Sequence, residues 1–204
     1  MDSTSITYGA LKDSIHKWLD LKQLFTNVLQ PKNKIERIKY YTARVSARPE
    51  DLDAPTFQDI YLRALELYIP ELTIVQGHFV RKQVQMRLAT PINGKYFADV
   101  IKTEEKGSDV NLAVHMVNDG WQNQYDCAVV CSNDGDLSEA IRIVRRELHK
   151  TVLLVVPGDK KNRPPSVALK RWASYTLRIS EEHLAKSQLP NPIPGTTIHK
   201  PKSW

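Results

Sequence analysis

Ala128-Val129-Val130-Cys131-Ser132-Asn133-Asp134-Gly135-Asp136-Leu137 is an apolar run that stops in a turn of small and acidic residues. An uncharged run of strand length predicts a strand covered on both faces, as in the parallel sheets of α/β proteins. The strand is read as Asp126–Cys131 and the residues after the turn, Leu137–Leu148, as a helix. A second apolar run, Thr151–Val156, completes a strand–helix–strand unit.

Working upstream, Val110, Ala113, Val114 and Val117 predict a helix over Gly107–Asn118. Before it come a strand over Tyr96–Thr103, a turn at Pro91–Gly94, and strands over Leu72–Val75 and Phe79–Leu88. Helices are predicted over Thr56–Tyr68 and, behind a cap at Asp20, over Asp20–Leu29, where Pro31 ends the element. Ile35–Val45 reads as a strand and Arg48–Asp53 as a polar loop. Downstream lie a short helix at Ser166–Ala173, a last strand at Tyr175–Ile179 and a brief helix near Glu181–Lys186. Pro190, Pro192, Pro194 and Pro201 keep the remainder irregular. The expectation is one α/β domain over 1–188, a three-layer Rossmannoid fold with a mainly parallel sheet, and a Pro-rich tail over 189–204.

The chain has 204 residues, 41% apolar and 25% charged, a globular composition. No apolar run nears the ~20 residues needed to cross a bilayer, and Met1–Ser5 carries no signal-peptide pattern, so a cytoplasmic protein is expected. Cys127 and Cys131 sit four strand steps apart, about 13 Å, too far for a disulfide or a shared metal. The histidines show no metal-ligand spacing, no serine pairs with a histidine and an acid, and no phosphate-binding loop with its lysine is present. The net charge is +6 with a pI near 9.2. Residues 10–48 and 142–178 hold most of the excess, around a more acidic middle. Such flanks suit a polyanion, as they also suit a solvated basic surface.

Topology brings the acids together. Lys106-Gly107-Ser108-Asp109 follows a strand, so it lies at a carboxyl edge, where open α/β sheets bind ligands. The helix then runs back, and strand 126–131 returns to deliver Asp134 and Asp136 to that edge. Singly, each acid is explained by helix capping or the helix dipole. Together, clustered carboxylates call for a cation, and oxygen donors suit Mg²⁺ or Mn²⁺.

Lys102–Asp109 with Val110-Asn111-Leu112-Ala113 resembles the helix start of NYN domains of the LabA-like group, and Ser132–Asp136 resembles that family's Ser-x-Asp-x-Asp turn. Arg37–Arg44 and the stretches Leu184–Pro190, His199–Pro201 and Trp204 are similar to one bacterial branch. The resemblance implies a PIN-like fold and metal-dependent RNA cleavage. It places Asp2, Asp109, Asp134 and Asp136 as catalytic metal ligands on Mg²⁺ or Mn²⁺. Ser5, Lys106, Ser132 and Asn133 fall at substrate-binding positions. RNA is the expected partner and DNA a second one, with no membrane. The family opens on a buried strand ending in Asp-Gly-x-Asn. Here the match begins at Asp2, Ser5 stands where the Asn is expected, and the first strand is expected to be truncated. Two other readings are open: a nucleic-acid-binding module that has lost a ligand, and a phosphatase or nucleotide hydrolase. Oligomeric state is not legible.

Overall fold

The computed structural model describes residues 11, 14–47, 49, 51–158 and 164–204. Asp2 and Ser5 lie outside the described residues. Helix α1, Leu21–Val28, starts where Asp20 accepts a hydrogen bond from the Gln23 amide at 2.9 Å, and buries Leu21, Leu24 and Phe25. Strand β1, Ile38–Ala43, is followed by helix α2, Ala54–Tyr68. β1 pairs in parallel with the first residues of β2, Leu72–Ile92, from Ile38 opposite Leu72 to Ala43 opposite Gly77.

β2 is one strand of 21 residues, where the sequence predicted two. Gly77 suggests a break, yet the backbone stays extended through it and turns from parallel to antiparallel pairing. Beyond it, His78–Ile92 pairs with β3, Lys95–Lys106, through a two-residue turn at Asn93-Gly94. Both turn residues have positive φ, 50° and 76°, the geometry that matches the twist of a tight hairpin. The ribbon leaves Met86, Ile92, Tyr96, Phe97 and Ile101 exposed.

Helix α3, Ser108–Trp121, leads to β4, Cys127–Cys131, then to a 3₁₀ turn at Gly135–Leu137 and α4, Ser138–Arg146. β5, Thr151–Val156, pairs in parallel with β4 and with β6, Tyr175–Arg178. Helices α5, Val167–Trp172, and α6, Glu181–Ala185, complete the order. Among the described strands there are two three-stranded sheets, β1-β2-β3 and β4-β5-β6.

Strand side chains alternate between two apolar clusters. Tyr40, Cys131 and Val155 join residues of α1, α2 and α6, while Tyr41, Val130 and Leu154 join residues of α3, α4 and α5. This is the three-layer arrangement of an α/β fold. The tail is irregular, as its prolines require, but it packs: Leu189 and Ile193 are in the first cluster, and the Trp204 ring meets Tyr61 at 5.7 Å. No helix among the described residues is long and apolar enough to cross a membrane.

One expectation fails in part. β4 was read as covered on both faces, and Val130 and Cys131 are buried, but Cys127, Ala128 and Val129 are only half-buried. The reason is a cavity of about 580 Å³ between β1 and β4, walled by Ile38 and Tyr41 on one side and Cys127–Val130 on the other.

Candidate functional site

The carboxyl edge is built by close backbone approach. A Cβ on Gly77 would lie 2.7 Å from the Lys106 carbonyl and 2.8 Å from Ser108 Oγ, so only glycine lets the start of α3 seat against the end of the β1–β2 pairing. Ser108 is buried there and its hydroxyl donates to the Glu105 carboxylate. Asp109 follows in the first turn of α3, half-buried.

The second element of the edge follows β4. Ser132 is fully buried, and its Oγ accepts from the Asp134 amide at 3.1 Å. Asp134 Oδ1 accepts from the Asp136 amide at 2.9 Å and caps the 3₁₀ turn. The capping role read from the sequence is therefore present. Asp136 is exposed. Helix α3, which carries Asp109, packs against this 3₁₀ turn.

Two of the residues expected to meet substrate have partners within the protein. Asn133 binds the chain before α5, accepting from the Ser166 amide at 2.7 Å and donating to the Pro164 carbonyl at 3.1 Å. Lys106 lies 3.3 Å from Glu104, which also holds Lys102 at 2.6 Å and has its pKa lowered by those two ammonium groups. Asp119 sits at the opposite end of α3 from Asp109, bound to Lys39 at 2.6 Å. Trp18 is buried and donates to the Pro190 carbonyl, Trp172 lies under Arg146 and Arg171, and Trp121 is 75% exposed.

The oxygen donors fit a hard divalent cation in kind. In number they fall short: among the described residues no group of three or more His, Cys, Asp or Glu side chains is placed to hold a metal ion. Mg²⁺ is commonly held by one or two carboxylates with waters and a substrate phosphate completing its shell.

Several cations of the basic flanks are paired within the protein. Lys22 binds Glu71, Arg44 binds Asp59, and Arg142 binds both Glu139 and Glu147. Exposed Arg81 and Arg87, on the ribbon, enter no ion pair among the described residues. The sequence placed them in the more acidic middle. Reading 79–105 as one hairpin puts both arginines on the face that carries Phe97 and Ile101.

Known proteins add three findings. A structure of a protein of unknown function from Vibrio parahaemolyticus superposes with a TM-score of 0.52 at 17% identity, covering 92% of this chain and 93% of that one, a likeness of fold. A relative from Pseudomonas putida (strain DSM 28022 / S16), named 6-hydroxy-3-succinoylpyridine 3-monooxygenase HspA, is 30% identical over 230 aligned residues, 100% of this chain and 73% of its own length. The NYN domain matches residues 1–179, taking in both acidic turns and every strand but none of the tail, and by that match the chain belongs to the NYN domain family.

Proposed function

We propose that this protein is a metal-dependent nuclease of PIN-like fold that hydrolyses RNA phosphodiester bonds as an endoribonuclease. The observation that carries the reading is the contact of α3, whose first turn holds Asp109, with the 3₁₀ turn that Asp134 caps. The nuclease-type NYN family supports it. Asp109, Asp134 and Asp136, with Asp2, are the acids assigned to Mg²⁺ or Mn²⁺. A divalent ion bound there supplies charge neutralisation at a phosphodiester and a water of lowered pKa.

The chain's own residues do the positioning. Ser132 Oγ holds the Asp134 main chain through its amide, and the Asp136 amide holds the Asp134 carboxylate. Asn133 fixes the loop before α5 beside it. Arg81 and Arg87, with Phe97 between the strands' ends, offer phosphate contacts and a face for base stacking on the ribbon that leads into α3.

A second reading rests on the relative named a monooxygenase. Under it, the protein inserts one oxygen atom of O₂ into a small heteroaromatic acid, while two electrons and two protons from a reductant carry the other atom to water. Assaying one purified sample decides. Mg²⁺- or Mn²⁺-dependent cleavage of RNA, stopped by EDTA, is expected. RNA bound but uncut under both metals leaves a catalytically impaired binding module. O₂ uptake with 6-hydroxy-3-succinoylpyridine and a reductant, without RNA cleavage, replaces the nuclease with the oxygenase.

A further inference from the structure

We propose that this protein forms a two-fold dimer by exchanging ribbons: the apolar face of the β2–β3 ribbon of one copy lies along the outer side of α3 on a second copy, and the reverse contact closes the pair. The inference does not depend on the reaction proposed above.

α3 is apolar on two opposite sides. Ser108, Leu112, Met116 and Gly120 turn inward and are buried. At about 100° per residue, Val110, Val114, Val117 and Trp121 fall within about 60° of one another on the other side of the helix. Val117 is half-buried, but Val110, Val114 and Trp121 are 66%, 57% and 75% exposed. A helix apolar on both sides belongs between two layers, and the described residues supply only the inner one.

The ribbon carries a surface of the same kind. Val84 pairs with Val100 and Met86 with Ala98, and strand alternation adds Leu88 and Tyr96 to that face. Arg81, Arg87 and Phe97 are on the opposite face, which the proposed contact leaves open. A two-stranded ribbon is marginal in water unless a third strand or a helix covers it. Among the described residues, β2 is the one strand or helix with an extensive contact to β3. The ribbon cannot reach its own α3. β2 runs unbroken from its pairing with β1, which fixes the ribbon's direction, and Gly107 alone joins β3 to the helix. A second copy has no such tether.

Charge and area favour ribbon on helix over either surface pairing with itself. Between residues 81 and 102 the ribbon has five cations, Arg81, Lys82, Arg87, Lys95 and Lys102, against Asp99, a net charge of +4. α3 has Asp109 and Asp119 and neither lysine nor arginine, a net charge of −2. Ribbon on helix therefore joins opposite charges, whereas ribbon on ribbon or helix on helix opposes like ones. At ~150–250 Å² for a large side chain, the exposed part of the helix side is on the order of 400 Å², and that of the ribbon face about the same. Either one alone is half of the ~800 Å² that a standard interface takes from each partner. Exchange uses both on each subunit and reaches it, with Trp121 and Tyr96 as the aromatic anchors.

The test is sedimentation equilibrium of the 204-residue chain, of Val114→Lys on the helix, of Met86→Glu on the ribbon, and of an equal mixture of the two variants. The parent is expected to sediment as a dimer. Each variant alone places a like charge in both symmetric contacts and should raise the dissociation constant by about 100-fold or more. The mixture should dimerise again, because a mixed pair has one unaltered contact and sets Lys against Glu in the other. Melting curves check that the variants fold. If either does not, Trp121→Ala and Tyr96→Ala replace them, and mixing must again recover dimer through the one unaltered contact. A monomeric parent at its highest soluble concentration overturns the proposal, as does a dimer that both variants leave intact. Loss of the dimer in one variant only makes that surface pair with itself, and loss in both with no recovery on mixing likewise rules out exchange.

Discussion

Asn133 grips Ser166 and the carbonyl two residues before it, with Oδ1 accepting from the Ser166 amide at 2.7 Å and Nδ2 donating to Pro164 at 3.1 Å. A residue that the sequence assigned to substrate is thereby a clamp between the end of β4 and the start of α5. Two hydrogen bonds at half-exposed positions are together worth about 1–2 kcal/mol. Asn133→Ala is expected to lower stability by that amount in urea unfolding. Asn133→Asp, which keeps the acceptor and loses the donor, should fall between. A stability unchanged in both would return Asn133 to the substrate side.

Gly77 governs how closely α3 approaches the sheet. Its missing side chain leaves room for the Lys106 carbonyl and Ser108 Oγ, both under 3.0 Å from where a Cβ would stand. Backbone cannot step aside as a flexible side chain can. Gly77→Ala is therefore expected to cost about 1–3 kcal/mol, the range for overpacking, and to displace the first turn of α3. Thermal melts read the first effect, and a weakened RNA-cleavage rate in the soluble variant reads the second. A neutral Gly77→Ala would mean that the edge tolerates looser seating.

The order of helices and strands was legible because apolar spacing and turn chemistry are local signals. The Ser132–Asp136 turn was placed correctly by the same means, since a strand's end and the direction of the next helix follow from connectivity. What failed was not local. Gly77 looks like a strand break until its pairing partners are known, because the partner changes there from β1 to β3. Cys127–Val129 carries the composition of an interior strand, and no spacing in the run reveals that its neighbour is a cavity. The basic flanks were open to two readings for a related reason. Whether Lys39 or Arg142 meets nucleic acid or Asp119 and Glu139 depends on contacts far along the chain or on a side-chain rotamer.

Asp20 caps α1 while nearly buried, and burial raises its pKa above the ordinary 3.8 despite the amide bonds from Gln23 and Lys22 that lower it. A carboxyl that holds its proton more tightly folded than unfolded stabilises fully below 3.8, and that contribution is lost as pH rises through the folded value. Asp20→Asn keeps an acceptor for the Gln23 amide without burying a charge. It is expected to match or exceed the parent at neutral pH, with the advantage vanishing as pH falls below 3.8. Asp20→Ala should lose about 1 kcal/mol with the cap. Melting curves across that range test the sign. An Asn variant less stable at neutral pH would show that the charge itself stabilises the cap.

Arg81 and Arg87 share one face of the ribbon with Phe97 and Ile101, outside the ion pairs that occupy the expected basic flanks. RNA affinity measured on Asp134→Asn, which separates binding from cleavage, should fall steeply with salt as backbone counterions are released. Replacing both arginines by alanine should shallow the log–log slope by about 1.4, at ~0.7 per phosphate contact on a single strand. An unchanged slope would move the nucleic-acid contacts off the ribbon.

Asp134 and Asp109 carry the final prediction. Asp134 Oδ1 already accepts from the Asp136 amide at 2.9 Å, a bond that an Asn oxygen preserves. Asp109 stands in the first turn of α3, where a negative charge favours the helix dipole by at most about 1 kcal/mol. If capping and dipole were their only roles, Asp134→Asn would be silent, Asp109→Asn would cost under about 1 kcal/mol, and activity would follow stability. If they hold a divalent cation, the charge itself is the function. Both variants should then fold normally and lose at least the ~10–100-fold that removing even an outer-shell partner of a metal costs. Excess Mn²⁺ should restore part of the loss in Asp134→Asn, since the amide oxygen still ligates weakly, and should restore none in Asp134→Ala. RNA cleavage followed with EDTA and with graded Mg²⁺ and Mn²⁺, beside melting curves of the same samples, separates the two roles. Full activity in both Asn variants would remove the metal from this edge.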